Sequence, residues 1–81
     1  MPRYFFHTQS DTRLSDDVGV DLLGPLQARH EAIRSLGEML EDFPQPFWGS
    51  RPWTVTVTDD TGLVLWEINV DGTASAAAPP D

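Results

Sequence analysis

The sequence has no cysteine, no lysine, only two histidines and no apolar run as long as a membrane span. Without cysteine there is neither a disulfide nor a zinc-thiolate site, and two imidazoles are too few for a cage built from histidine alone. A bilayer crossing needs about 20 consecutive apolar residues. The first residues carry neither the basic segment nor the apolar stretch of a secretory signal. The expected location is therefore the cytoplasm, with no membrane partner. All formal basic charge comes from five arginines set against thirteen Asp and Glu, a net charge of −8. Such a surface repels phosphate backbones over a Debye length, roughly 10 Å at 0.1 M salt, which argues against nucleic acid as a partner. It keeps a protein soluble and suits a basic protein partner.

Eighty-one residues allow one domain, and a chain of that size buries only about 60–65% of the surface its unfolded form exposes. With no covalent or metal staple available, burial between subunits is the remaining common source of stability.

The chain opens MPRYFFH, with Tyr4, Phe5 and Phe6 side by side. Pro2 to Thr8 is expected to be a strand, in which Tyr4, Phe6 and Thr8 face one way and Arg3, Phe5 and His7 the other. A polar turn over Gln9 to Thr12 leads to a second strand from Arg13 to Leu22, interrupted near Ser15, Asp16 and Asp17. Gly19 within that stretch signals a bulge or the close approach of other atoms. A helix then begins at Pro25, whose missing N–H costs nothing in the first turn. Leu26, Ile33, Leu36, Leu40 and Phe43 form its expected apolar stripe, widened by Ala32 and Met39. Gly37, inside this pattern, is expected to pack closely on a sheet. Pro44 ends the helix, and Pro44 to Pro52 reads as an ordered connection without helix or strand.

Trp53 to Thr58 alternates cleanly, with Trp53, Val55 and Val57 on one face and three threonines on the other. Asp59-Asp60-Thr61-Gly62 is a hairpin connection, since Asp favours early turn positions and Gly accepts positive φ at the last. Leu63 to Val70 returns, with Val64, Trp66, Ile68 and Val70 on one face and Leu63 and Leu65 on the other. The order is strand, strand, helix, strand, strand: an α+β fold, ββαββ, with one helix on a mainly antiparallel four-stranded sheet. Residues 1–71 form the expected domain, and 72–81, rich in Ala and Pro, a disordered tail.

One helix covers one sheet face. Phe5, Leu63 and Leu65 make the second face apolar in this reading, so it needs cover from the Phe47–Trp48 connection or from a second subunit. A homodimer is the expected assembly.

The opening MPRYFFH, the stretch Gly19-Val20-Asp21-Leu22, the helix with Ala28-Arg29, Glu31-Ala32 and Arg34-Ser35, and the hairpin with Val57-Thr58-Asp59 and Gly62-Leu63-Val64-Leu65 resemble a known family. Its members are short uncharacterised proteins, frequent in rhizobia and related alphaproteobacteria, that open MPRYFFH or close variants. The resemblance runs from Met1 to about Val70 and implies a stand-alone bacterial cytoplasmic protein, with no catalytic residues to carry over.

Catalytic motifs are weak. His30-Glu31-Ala32-Ile33-Arg34 has arginine where a zinc-protease helix needs its second histidine. Asp11, Asp16 and Asp17, and Asp59 with Asp60, lack calcium-loop spacing and suit turns. No phosphate-cradling glycine loop or nucleophile elbow occurs, and no cofactor is expected. The candidate interaction residues are Phe5, Phe47, Trp48, Arg51 and Trp53, four aromatics and an arginine of the types enriched in interface hot spots. The expected function is a small non-enzymatic interaction or regulatory module. The alternative is a metal-binding protein or enzyme using His7 and His30 with nearby carboxylates.

Overall fold

A computed structural model of the chain describes residues 1–80. The aromatic triplet lies in β1 (Arg3–Gln9). β1 is paired along one side with β4 (Trp53–Thr58) and along the other with two short strands, β2 (Arg13–Leu14) and β3 (Val20–Asp21). β5 (Val64–Val70) closes the hairpin with β4, so the sheet runs β2-β1-β4-β5 with β3 beside β2 on the same edge, every pairing antiparallel. α1 (Pro25–Asp42) packs on one face. The α+β architecture is the one the sequence pattern gives.

The second strand is interrupted as expected, and its register shows how. Thr8 pairs with Leu14 and Tyr4 with Val20. Six steps along one strand therefore oppose four along the other, and two residues are looped out. Asp16 takes the place of a strand partner: its carboxylate accepts the N–H of Phe6 at 3.1 Å and those of Val18 and Gly19 at 3.0 Å. An even slip keeps both halves on the same alternation.

The sheet faces differ sharply. Tyr4, Val55 and Val57 form the core with Ala28, Ala32 and Leu36 of α1, and Phe6, Trp66, Ile68 and Val70 pack around them. Val55 and Val57 are fully buried, each worth about 1.5–3 kcal/mol relative to exposure. The register puts Phe5 and His7 beside Thr58 and Thr56, and Thr56 and Thr54 beside Glu67 and Asn69. This second face is thus polar apart from Phe5 and Val64, which the register sets on either side of Thr58, and that corrects the expectation of two apolar faces. Phe5 finds its cover in the loop between β2 and β3. Gly19 adopts φ +75°, and a Cβ placed on it would lie 2.8 Å from the Phe5 ring. Leu65 also leaves the second face. The β4–β5 register slips between Val57 and Thr58, and Leu65 packs against the core.

α1 buries only part of the stripe expected of it, Leu36 with Ala32, and packs Leu40 against the core. Its buried ridge is Ala28, Ala32 and Leu36, spaced by four, while Leu26, Ile33 and Phe43 are exposed. Small side chains bring the helix close to the sheet, and Ile33 sits about 100° around the axis from Ala32. A Cβ placed on Gly37 would meet open space, with nothing from the sheet within 4 Å, so the close packing expected there is not found among the described residues. The connection after Pro44 folds as a second helix, α2 (Pro44–Ser50), instead of an irregular link. Pro44 and Pro46 fall in its first turn, where no intrahelical N–H is needed.

Candidate functional site

Three places gather the residues that carry chemistry. At the first, the Asp16 N–H donates to Nδ1 of His7 at 3.1 Å, and His7 Nε2 lies 3.1 Å from Oγ1 of the buried Thr58. Partial burial pushes the Asp16 carboxyl up, but the N–H groups of Gly19, Phe6 and Val18, with His7 nearby, outweigh it and hold the group below the usual carboxylate range. A cleft of about 200 Å³ beside this cluster is lined by Phe5, His7, Thr58 and the Asp59–Asp60 turn. Asp59 itself is held low by Thr61: Oδ1 accepts the Thr61 hydroxyl at 2.7 Å and N–H groups of Thr61 and Leu63. These polar groups satisfy one another and the turns they sit in.

His30 is exposed on α1. Its neighbour Glu31 is held low chiefly by Arg34, which also bonds Glu38. Among the described residues no three His, Asp or Glu side chains come together as a metal site.

The second place is the aromatic cluster of α2. Phe47 is 8% exposed and Trp53 3%, their rings meeting edge to face with centroids 5.5 Å apart. Trp53 Nε1 donates to Ser50 Oγ at 2.8 Å, and that hydroxyl donates to the Pro46 carbonyl. Both aromatics seal the end of the core and offer little surface to a partner. Trp48 is half exposed, with the Arg51 guanidinium 5.1 Å from its ring centroid. Arg51 donates to the carbonyls of Trp48 and Gly72. Gly72 lies so close beneath Trp48 that a Cβ there would come within 2.8 Å of the indole. Chain packing therefore extends through Gly72, one residue beyond the expected boundary. Residues 73–80 are exposed and carry a turn between Ser75 and Ala78. Asp81, the last residue of the expected tail, lies outside the described residues.

The third place was not singled out from the sequence. Between α1 and the open side of β5 runs an apolar groove of about 260 Å³, floored by Ala32 and Val57 and walled by Ile33, Trp66 and Ile68. Arg29 stands over it, its guanidinium 5.8 Å from the Trp66 ring centroid. Leu26 and Ile33, 60% and 58% exposed, extend the apolar surface along the helix. One sequence signal was available. Arg34 has glutamates three residues before and four after it, whereas Arg29 has no acidic residue at either spacing.

A family model described as a domain of unknown function, DUF6894, matches residues 3–71. No curated protein and no solved structure matches the chain.

Proposed function

From the premise that the chain belongs to the DUF6894 family, whose description assigns no activity, we propose that it is a non-enzymatic protein-interaction module working through the strip formed by α1 and the edge of β5. The observation that carries this reading is the exposure of Leu26 and Ile33 beside a mostly apolar strand whose outer edge has no partner among the described residues. A protein that buries its Ala28–Ala32–Leu36 ridge while leaving branched aliphatics in solvent has apolar area to gain on association. Support also comes from the titratable groups. His7, Asp16 and Asp59 are engaged in holding turns and strand ends, and such groups serve structure before chemistry.

Photo-crosslinking in cells tests it. A photoreactive phenylalanine analogue at Ile33 should give protein adducts, while the same group at Thr56, on the polar sheet face, should not. Adducts from Thr56 alone, or from neither position, would end the proposal.

A further inference from the structure

Resting on that reading, we infer that the occupant of the strip is a second copy of this chain, with β5 pairing antiparallel to β5 of the copy about a two-fold axis perpendicular to the sheet.

The two sheet edges are unlike. The β2/β3 edge is made of two-residue strands separated by a loop carrying Asp16 and Asp17, the short, charged and interrupted form that blocks edge-to-edge pairing. β5 has seven residues, no proline and no lysine, and among the described residues nothing pairs with its outer side. Its free N–H and C=O groups form a row about 24 Å long at ~3.4 Å per residue.

Charge selects the occupant. A basic partner would be drawn to the carboxylates of the β2–β3 loop and the Asp59–Asp60 turn. The groove between α1 and β5 has only Arg29 and Glu67 as charged lining residues, one of each sign. It is the part of a −8 molecule through which a like molecule can approach with least repulsion.

The strand is also complementary to itself. For the helices to lie on one side of a continuous sheet, residues must pair with partners of the same alternation. Full overlap then centres the two-fold on Glu67. On the face that carries α1, Trp66 meets Ile68 of the partner subunit, apolar against apolar. On the other face Glu67 meets its own counterpart, a like-charge pair that weakens the contact. With the α1 strip about 20 Å wide, the surface is on the order of 500 Å² per copy. A standard stable interface takes about 800 Å² per partner. The dimer is therefore a weak one.

Sedimentation equilibrium of the full chain from about 5 to 500 µM tests this. A concentration-dependent dimer is expected. Ile33→Glu, at an exposed position, should keep the wild-type circular dichroism spectrum and weaken the dimer at least tenfold. Glu67→Gln should tighten it about two- to fivefold, and an equimolar mix of wild type and Glu67→Lys should favour the mixed dimer over either parent. A monomer at every concentration overturns the inference, as does a dimer indifferent to both Ile33→Glu and the Glu67 charge swap. If the protein is monomeric while the Ile33 crosslinker captures another protein in cells, self-association falls and the interaction reading stands. If neither occurs, both fall.

Discussion

The main-chain N–H of Asp16 donates to Nδ1 of His7, which fixes the imidazole as the tautomer protonated at Nε2, facing Thr58 Oγ1. Two residues nine positions apart are thereby locked across the edge of the sheet. Protonating Nδ1 would set one donor against another and break the lock.

Asp16 is the hub of this region. Asp16→Ala removes the acceptor for the N–H groups of Phe6, Val18 and Gly19. We expect a loss of about 1.5–3 kcal/mol in urea unfolding. Faster amide exchange should be confined at first to residues 15–19 and the start of β1. A uniform change across the sheet would show that the loop is not held locally.

Acid should destabilise the fold. Asp16, Asp21, Glu31 and Asp59 are all held below their ordinary values, Asp21 chiefly by its hydrogen bonds to Arg3. In the window between the folded and unfolded values the unfolded chain binds more protons, so stability rises with pH. The contribution is complete above about pH 5 and is lost as pH falls through the folded values. Melting temperature measured from pH 7 to pH 3 should decline, with a smaller decline in Asp16→Ala. A flat profile would contradict the hydrogen-bond assignments.

The glycines separate two physical causes. Gly19→Ala imposes both a positive φ and a clash with Phe5, costing about 1–3 kcal/mol. Gly37→Ala, in an exposed helix position with open space, should stabilise the monomer by up to about 1 kcal/mol. Denaturant melts at low micromolar concentration read both. Stabilisation by Gly19→Ala would mean that the loop does not press on the ring.

Gly72 packs beneath Trp48 and its carbonyl receives Arg51. A chain ending after Thr73 should melt within a degree or two of the full chain. One ending after Val70 loses the Gly72 carbonyl that receives Arg51 and the floor beneath Trp48, and should melt several degrees lower. Gly72→Ala should reproduce part of that loss through the indole, and equal melting of all three chains would remove the latch.

Much of this was legible in the residues themselves. Alternation set β1, β4 and β5, Asp59 to Gly62 set the hairpin, and Pro25 and Pro44 bounded α1. These signals are local: a period of two or a ring that fixes φ acts within a few residues. The misread stripe of α1 is of another kind. Leu26 and Ile33 are as apolar as Leu36, and periodicity alone could not say that the ridge would run through Ala28 and Ala32 while Leu26 and Ile33 stayed in solvent. The aromatic cluster is similar, for composition marks Phe47 and Trp53 as sticky without saying that they face inward.

The order of amino acids determined the strands, the turns, the main helix and the acidic surface, because backbone geometry and charge follow from near neighbours. Tertiary structure decided which face stayed polar, how Gly19 came to shelter Phe5, and why the free apolar strip lies at β5. Those outcomes depend on the depth at which a helix of small residues settles and on a two-residue slip opposite β1. Both are set by the packing of segments distant in the chain.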